Sequence, residues 1–521
     1  MKTEFLVLVI MGLLCTHANA QNGVVVQSEL DKKIGKNLGD GTPILAKEYL
    51  FEDRVSDFTI DTLSNHIDIQ LRGLSKNGKW LNNKGNLLRY DTQTNRVLWS
   101  EKVNYQLDKI EQFGGVTLIT KSGKTFCLDN ATGEELWELK NSIVYVDRTK
   151  KVALGYRLSN SNKDSRILEG IDLRNGNVIW ERYISREYGW NNIYQLDEEA
   201  LIIVAGGIHT LNIHDGSGWD YDTKTGKKDY TASAVGTGLG VVAGILTGTY
   251  AVATGHDLVR DIASNVLKDS LGLFFASNEQ LVRLDLKGGL KWQAKLPEDK
   301  TSKSEIFKKG EQLFMVNRGF AFMGNRKLDM GIPFIAAFQS GNGMQKYFTE
   351  VGEEKDDNIL GTKFNGNELL LLFSNRISRF DLENGTVLEN IPFSEVAYGG
   401  LIHFIGQQVF IERDDHYISL TETDSSKVHV LSKKNSIIVL NSELQPEGQI
   451  ESSEFYIEYL KWKDCRFLKR DGTTQVIDDK GRKIAEMGID GNTRLLGHHL
   501  YSVEEDRLLV IDLYQITTSK Q

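Results

Sequence analysis

One short turn pattern, repeated along the chain, constrains this sequence more than any other feature. Apolar residues lead into Asp, then Thr or Asn with Gly, and then a large aromatic. The clearest copies are Leu87-Leu88-Arg89-Tyr90-Asp91 running on to Trp99; Phe126-Cys127-Leu128-Asp129 with Thr132-Gly133 and Trp137; Ile171-Asp172 with Asn175-Gly176 and Trp180; Tyr221-Asp222 with Thr225-Gly226 and Tyr230; and Leu284-Asp285 with Gly288-Gly289 and Trp292. Looser copies follow at Phe338 to Gly343 with Tyr347, at Phe380-Asp381 with Asn384-Gly385 and Leu388, at Val439-Leu440-Asn441, at Ile477-Asp478 with Lys480-Gly481, and at Ile511-Asp512. The Asp positions of the first five copies stand 38 to 63 residues apart, a spacing that fits about four strands per copy.

The chemistry of the unit is that of a hairpin. The residues before Asp are β-branched, aromatic or Leu, which suits a buried strand. Asp or Thr bonds the turn backbone, and Gly accepts the positive φ that the reversal needs. A single hairpin is marginal in water. Four strands stacked on the next four bury both faces, and closing the array hides its edges. Other short apolar runs, Leu201 to Val204, Leu369 to Phe373, Ile437 to Leu440 and Leu508 to Ile511, read as buried strands because each is only a few residues long. The expected fold is therefore all-β. Asp91, Asp129, Gly133, Asp172, Gly176, Asp222, Gly226, Asp285, Asp381 and Gly385 are expected as its turn residues.

The ends and the cysteines bear on compartment. Phe5 to Leu14 is an apolar run of signal-peptide length, followed by the small-x-small site Ala18-Asn19-Ala20. We expect residues 1–20 to be a signal peptide, 21–44 an N-terminal extension and 45–515 the repeat domain. Export to a periplasm, the outer-membrane periphery or the exterior follows. Cys15 offers a second reading as a lipid-bearing cysteine, although Leu14 departs from the small residue expected before it. The mature chain then keeps only Cys127 and Cys465, as two buried thiols or as one bridge. A net charge of −9 with 26% charged residues argues against a dedicated nucleic-acid binder.

The Asp-x-x-Thr-Gly-x-x-x-Trp unit resembles the repeat of the PQQ-like, quinoprotein-type β-propellers. The resemblance runs over roughly residues 45–515, is strongest at Trp99, Trp137 and Trp180, and fades toward the C-terminus. It implies four-stranded blades, eight in number with seven as the alternative. It also implies that Trp99, Trp137, Trp180, Tyr230 and Trp292 dock between neighbouring blades. The family holds PQQ-dependent dehydrogenases and a non-enzymatic, BamB-like branch, and the resemblance to the latter is the nearer. No Cys-Cys pair, no Cys-x-x-Cys-His haem site and no matching calcium trio occur, which removes the main grounds for PQQ with calcium as a cofactor. No cofactor, no metal and no catalytic residue are expected, and a protein partner is.

One segment escapes the pattern. Thr231 to Gly255 carries no charge and is rich in Gly, so residues 231–265 read as an insertion within the propeller. Gly240, Gly244 and Gly248 stand four apart, on one face of an expected helix that another backbone could approach. The readings that compete are a helical hairpin packed on the propeller and an element contacting a partner or, peripherally, a membrane through residues 231–255. His214 to Asp222 has oxygen ligands and glycines, but not at the spacing of an EF-hand calcium loop, and His498-His499 reads as surface. The acidic run Glu353 to Asp357 reads as a solvated loop.

Overall fold

The computed structural model describes residues 26–61, 63–159, 166–184, 190, 192–222, 240–244, 249–253, 262–323, 326–352, 357–392, 397–399, 402–405, 408–413, 416–421, 427–432, 436–441, 443–451, 456–489 and 492–516. Residues 1–20 and Cys15 lie outside them. The described chain is strand after strand, joined by tight turns and short 3-10 segments. It divides into two compact bodies: Met1–Ile119, Leu128–Glu135 and Met487–Thr517 form one, and Thr120–Cys127, Leu136–Glu486 and Thr518–Gln521 the other.

The building block is a four-strand antiparallel repeat. In the first, Arg54–Ile60, His66–Leu74, Leu81–Asp91 and Arg96–Asn104 pair each with the next. Seven sheets are of this kind outright. Three more repeats are embedded in larger sheets, at 141–183, 456–487 and 492–512, the last taking Pro43–Phe51 as its fourth strand. Among the described residues there are thus ten four-strand repeats, more than the eight blades, or seven, expected from sequence. The loose motif copies at Asn441, Asp478 and Asp512 each stand at the end of a third strand, so they mark repeats as fully as the clear copies do.

The middle strands are apolar on both sides because each sheet is covered on both faces. Leu369–Leu372, Ile437–Leu440 and Phe334–Phe338 are continuous buried runs. In the first body Tyr49, Phe58, Ile69, Tyr90, Tyr501 and Leu508 share one core. In the second, Phe274, Trp292, Met315, Phe334 and Phe338 fill the space between the fifth and sixth repeats. Burial at about 25 cal/mol per Å² of apolar surface makes these interlayer cores the main stabilising term.

The first described strand lies within the sheet. Val26–Asn37 pairs with Pro43–Phe51, which pairs in turn with Arg507–Asp512. The side chain of Gln515 clamps this closure, accepting from Leu45 N at 2.9 Å and donating to Leu45 O at 3.1 Å, while Asn37 donates to the Gln515 carbonyl at 2.8 Å.

The insertion corrects an expectation. Its described parts, Gly240–Gly244 and Thr249–Ala253, are two strands of an antiparallel hairpin and not a helix. The second strand extends the third repeat by pairing with the strand Asn141–Asp147, Tyr145 opposite Ala251 and Asp147 opposite Thr249. Two causes favour strand: Gly costs about 1 kcal/mol in a helix, and β-branched Val241, Val242, Thr249 and Val252 suit a sheet. The open edge of Asn141–Asp147 supplies the pairing groups. Gly240 and Gly244 sit at the two ends of one strand, opposite Ala253 and Thr249. Gly248 lies outside the described residues.

Candidate functional site

The turn residues build one geometry many times. Asp129 accepts from the backbone N–H groups of Ala131 and Thr132, both at 2.9 Å, while Gly133 N donates back to the Asp129 carbonyl at 2.9 Å. Asp91, Asp172, Asp285 and Asp381 each hold the backbone N–H two residues on in the same way. The Thr132 backbone N–H, chief among these donors, holds the Asp129 carboxyl below its ordinary pKa. The glycines sit at positive φ, for example +76° at Gly133 and +73° at Gly176 and Gly385.

Six turns, those at Asp129, Asp172, Asn212, Asp285, Gln339 and Asp381, receive an aromatic ring from the preceding repeat. The indole N–H of Trp99 donates to Asn130 O at 3.1 Å, that of Trp137 to Leu173 O at 2.9 Å, and that of Trp180 to Ile213 O at 2.9 Å. Trp219 reaches Leu286 O at 3.3 Å, Trp292 reaches Ser340 O at 3.0 Å, and the Tyr347 hydroxyl donates to Leu382 O at 2.9 Å. The acceptor is always the residue after the turn's Asp, Asn or Gln. The same rings lie flat on the turn glycine: a Cβ on Gly133, Gly176, Gly216, Gly288, Gly343 or Gly385 would stand 2.8 Å or less from ring carbon. These glycines are therefore required twice, by positive φ and by the ring.

The fourth repeat is placed differently from the sequence expectation. Its turn runs from Asn212 to Gly216, with Gly216 at φ +71°, and the ring that meets the next turn is Trp219. Asp222 ends the short strand Asp220–Asp222, opposite Gly207. Gly226 and Tyr230 lie outside the described residues. Asn in place of Asp hid this copy, as did a ring three residues after the glycine where the other copies place it four after. The extra residue elsewhere is a bulge in the third-to-fourth strand ladder, as at Gly170/Ile171 and Arg283/Leu284.

Several further polar clusters pair their side chains with one another. His209 sets Nδ1 against Asp220 at 2.6 Å and Nε2 against Ala205 O at 3.1 Å, so neither nitrogen is open to a metal. Arg89, 1% exposed, bonds Asp61 at 2.5 Å and Asp68 at 3.0 Å. Asp357 departs from the solvated loop expected for its acidic run: it is buried and bonds Arg376 at 2.6 Å, beneath the Phe373 ring. Cys127 and Cys465 are both buried and not joined in a disulfide, and burial pushes the Cys465 thiol up to about 11. Among the described residues one group of three His, Cys, Asp or Glu side chains has metal-ligand geometry, His498, His499 and Asp512. Two imidazoles and one carboxylate are not the hard oxygen set that calcium takes, so this cluster does not fit a calcium–quinone centre.

Fold and turn geometry together define an all-β protein of repeated four-strand antiparallel units. Residues 77–244 match the family described as outer membrane protein assembly factor BamB. Similar solved structures include BamB from Moraxella catarrhalis, 11% identical over 73% of this chain and 98% of that one, with a TM-score of 0.33. The computationally designed Ika8 protein is 12% identical over 72% and 97%, with a TM-score of 0.32. The dihydro-heme d1 dehydrogenase NirN, in complex with DHE, is 12% identical over 73% and 74%, with a TM-score of 0.33. No curated protein matches the chain.

Proposed function

We propose that this protein is an exported, non-catalytic β-propeller that binds a protein partner and acts as a scaffold in the cell envelope, on the side of outer-membrane protein assembly that its matching family describes. The observation that carries the reading is where the recurring residues are spent. The turn acids, their glycines and the docking rings are all engaged in holding repeat to repeat. Among the described residues the buried Arg89 is spent on ion pairs to Asp61 and Asp68. What is left for a partner is backbone and surface. The Gly-rich hairpin grafted on the third repeat is the clearest such element, and it is the contact we assign to residues 231–255.

The test has two arms. Purified protein is titrated with PQQ and calcium while absorbance and melting temperature are followed. The scaffold reading expects no change, and a saturable shift would favour a quinoprotein oxidoreductase. In parallel, residues 231–255 are deleted and envelope complexes are crosslinked. Loss of a crosslinked partner from a folded deletion variant supports the assignment, and an unchanged complex overturns it.

A further inference from the structure

His498 and His499 are adjacent in sequence, and adjacent residues of a regular strand point to opposite faces. Here the strand begins only at His499, and His498 belongs to the turn before it. The two imidazoles consequently lie side by side, tilted at 39° with centroids 4.1 Å apart. The register of the last hairpin then sets Asp512 directly opposite His499. The three side chains bring one ligand atom each within 4.8 Å of one another, and all three are half-buried. Among the described residues neither imidazole is engaged in a hydrogen bond or an ion pair, whereas His209 has both nitrogens committed. Tyr514 packs on the outer face of His498 at 4.7 Å, which limits how the ring can turn.

We infer that His498, His499 and Asp512 form a binding site for a borderline divalent transition ion of the zinc class, held by two imidazoles and one carboxylate with a fourth position left to water. The donor set selects such an ion over calcium or magnesium, which prefer oxygen alone. Ligand atoms around tetrahedral zinc stand roughly 3.4 Å apart for metal–ligand bonds of about 2.0–2.1 Å, so a small contraction of the observed cluster suffices. The site has a structural consequence. Asp512 also caps the 3-10 turn Leu513–Gln515, accepting from Tyr514 N at 2.9 Å, and Gln515 in that turn clamps Leu45 of the N-terminal strand. An ion on Asp512 therefore braces the closure that joins the two chain ends.

The experiment is calorimetric titration of the untagged full chain with zinc chloride, with calcium chloride as a control. One equivalent of zinc binds, melting temperature rises, and calcium gives neither effect. Asp512→Asn keeps the cap, since Asn caps as well as Asp, but weakens zinc binding at least ~10-fold. His499→Gln does the same, and His498→Gln serves should His499→Gln misfold. Absence of zinc binding in the parent, a calcium response equal to that for zinc, or equal binding in the folded variants would overturn the site.

Discussion

The repeats from Trp99 to Tyr347 and those that follow solve the same problem with different means. In the earlier run a ring from each repeat lies on the glycine of the next turn and donates to the carbonyl beside it. In the seventh repeat the corresponding residue, four after Gly385, is Glu389, an exposed carboxylate that pairs with Arg379 of its own sheet at 3.6 Å. The turn that follows it has Leu444 at φ +62° where the ring-covered turns have glycine. The first turn is a third case. It has Asn95 at φ +54°, and what reaches it from the closing strand is Lys47, whose Nζ donates to Thr92 O and Asn95 Oδ1, both at 3.0 Å. Lys47 thus bonds the same carbonyl position as the tryptophans without a ring to cover the turn. Positive φ alone tolerates Asn or Leu at a cost of roughly 1–2 kcal/mol. The ring is what makes glycine obligatory.

Removing a docking ring breaks the contrast most directly. Trp180→Ala is expected to cost about 3–5 kcal/mol, seen as a fall in melting temperature and denaturant midpoint, through loss of its buried surface. Trp180→Phe keeps the surface but leaves Ile213 O without its donor, and costs about 1–2 kcal/mol in the same assay. Lys47→Met, at the partly exposed link without a ring, is expected to cost about 1 kcal/mol or less. Asn95→Gly relieves the strain there but loses a bond to Lys47, so its unfolding free energy stays within about 0.5 kcal/mol of the parent.

Acid provides the gentlest probe. The Asp129 carboxyl is held below its ordinary pKa by the Thr132 and Ala131 backbone N–H groups. A depressed carboxylate contributes stability that is present above its unfolded pKa of about 4 and is lost as pH falls through the lower folded value. Melting temperature should therefore decline as pH is lowered below about 4, and Asp129→Asn, which keeps the acceptor but cannot titrate, should flatten part of that decline.

What sequence could reveal divides along physical lines. Asp129-Ala131-Thr132-Gly133 was legible because each residue type is demanded by its own turn bond or dihedral. Trp137 was legible as a docking ring only through family resemblance; its acceptor, Leu173 O, lies in another repeat. Trp219 was missed because Asn212 replaced Asp and a missing bulge shortened the spacing. The Gly240–Gly244 segment misled because a four-residue spacing shares a face in helix and strand alike, and the deciding partner, Tyr145 to Asp147, is distant in sequence. His498 and His499 read as surface because Asp512 joins them only through strand register.

A double-mutant cycle between Trp137 and Gly176 tests the central claim, that the ring and not the dihedral alone requires glycine. Gly176→Ala places a Cβ 2.8 Å from the Trp137 ring. In the parent it should cost about 2–4 kcal/mol from positive-φ strain and ring overlap together. In the Trp137→Ala background the account predicts that only the strain remains, a coupling of about 1–3 kcal/mol by melting or denaturant titration. Simple additivity, with Gly176→Ala equally costly whether or not the ring is present, would contradict it.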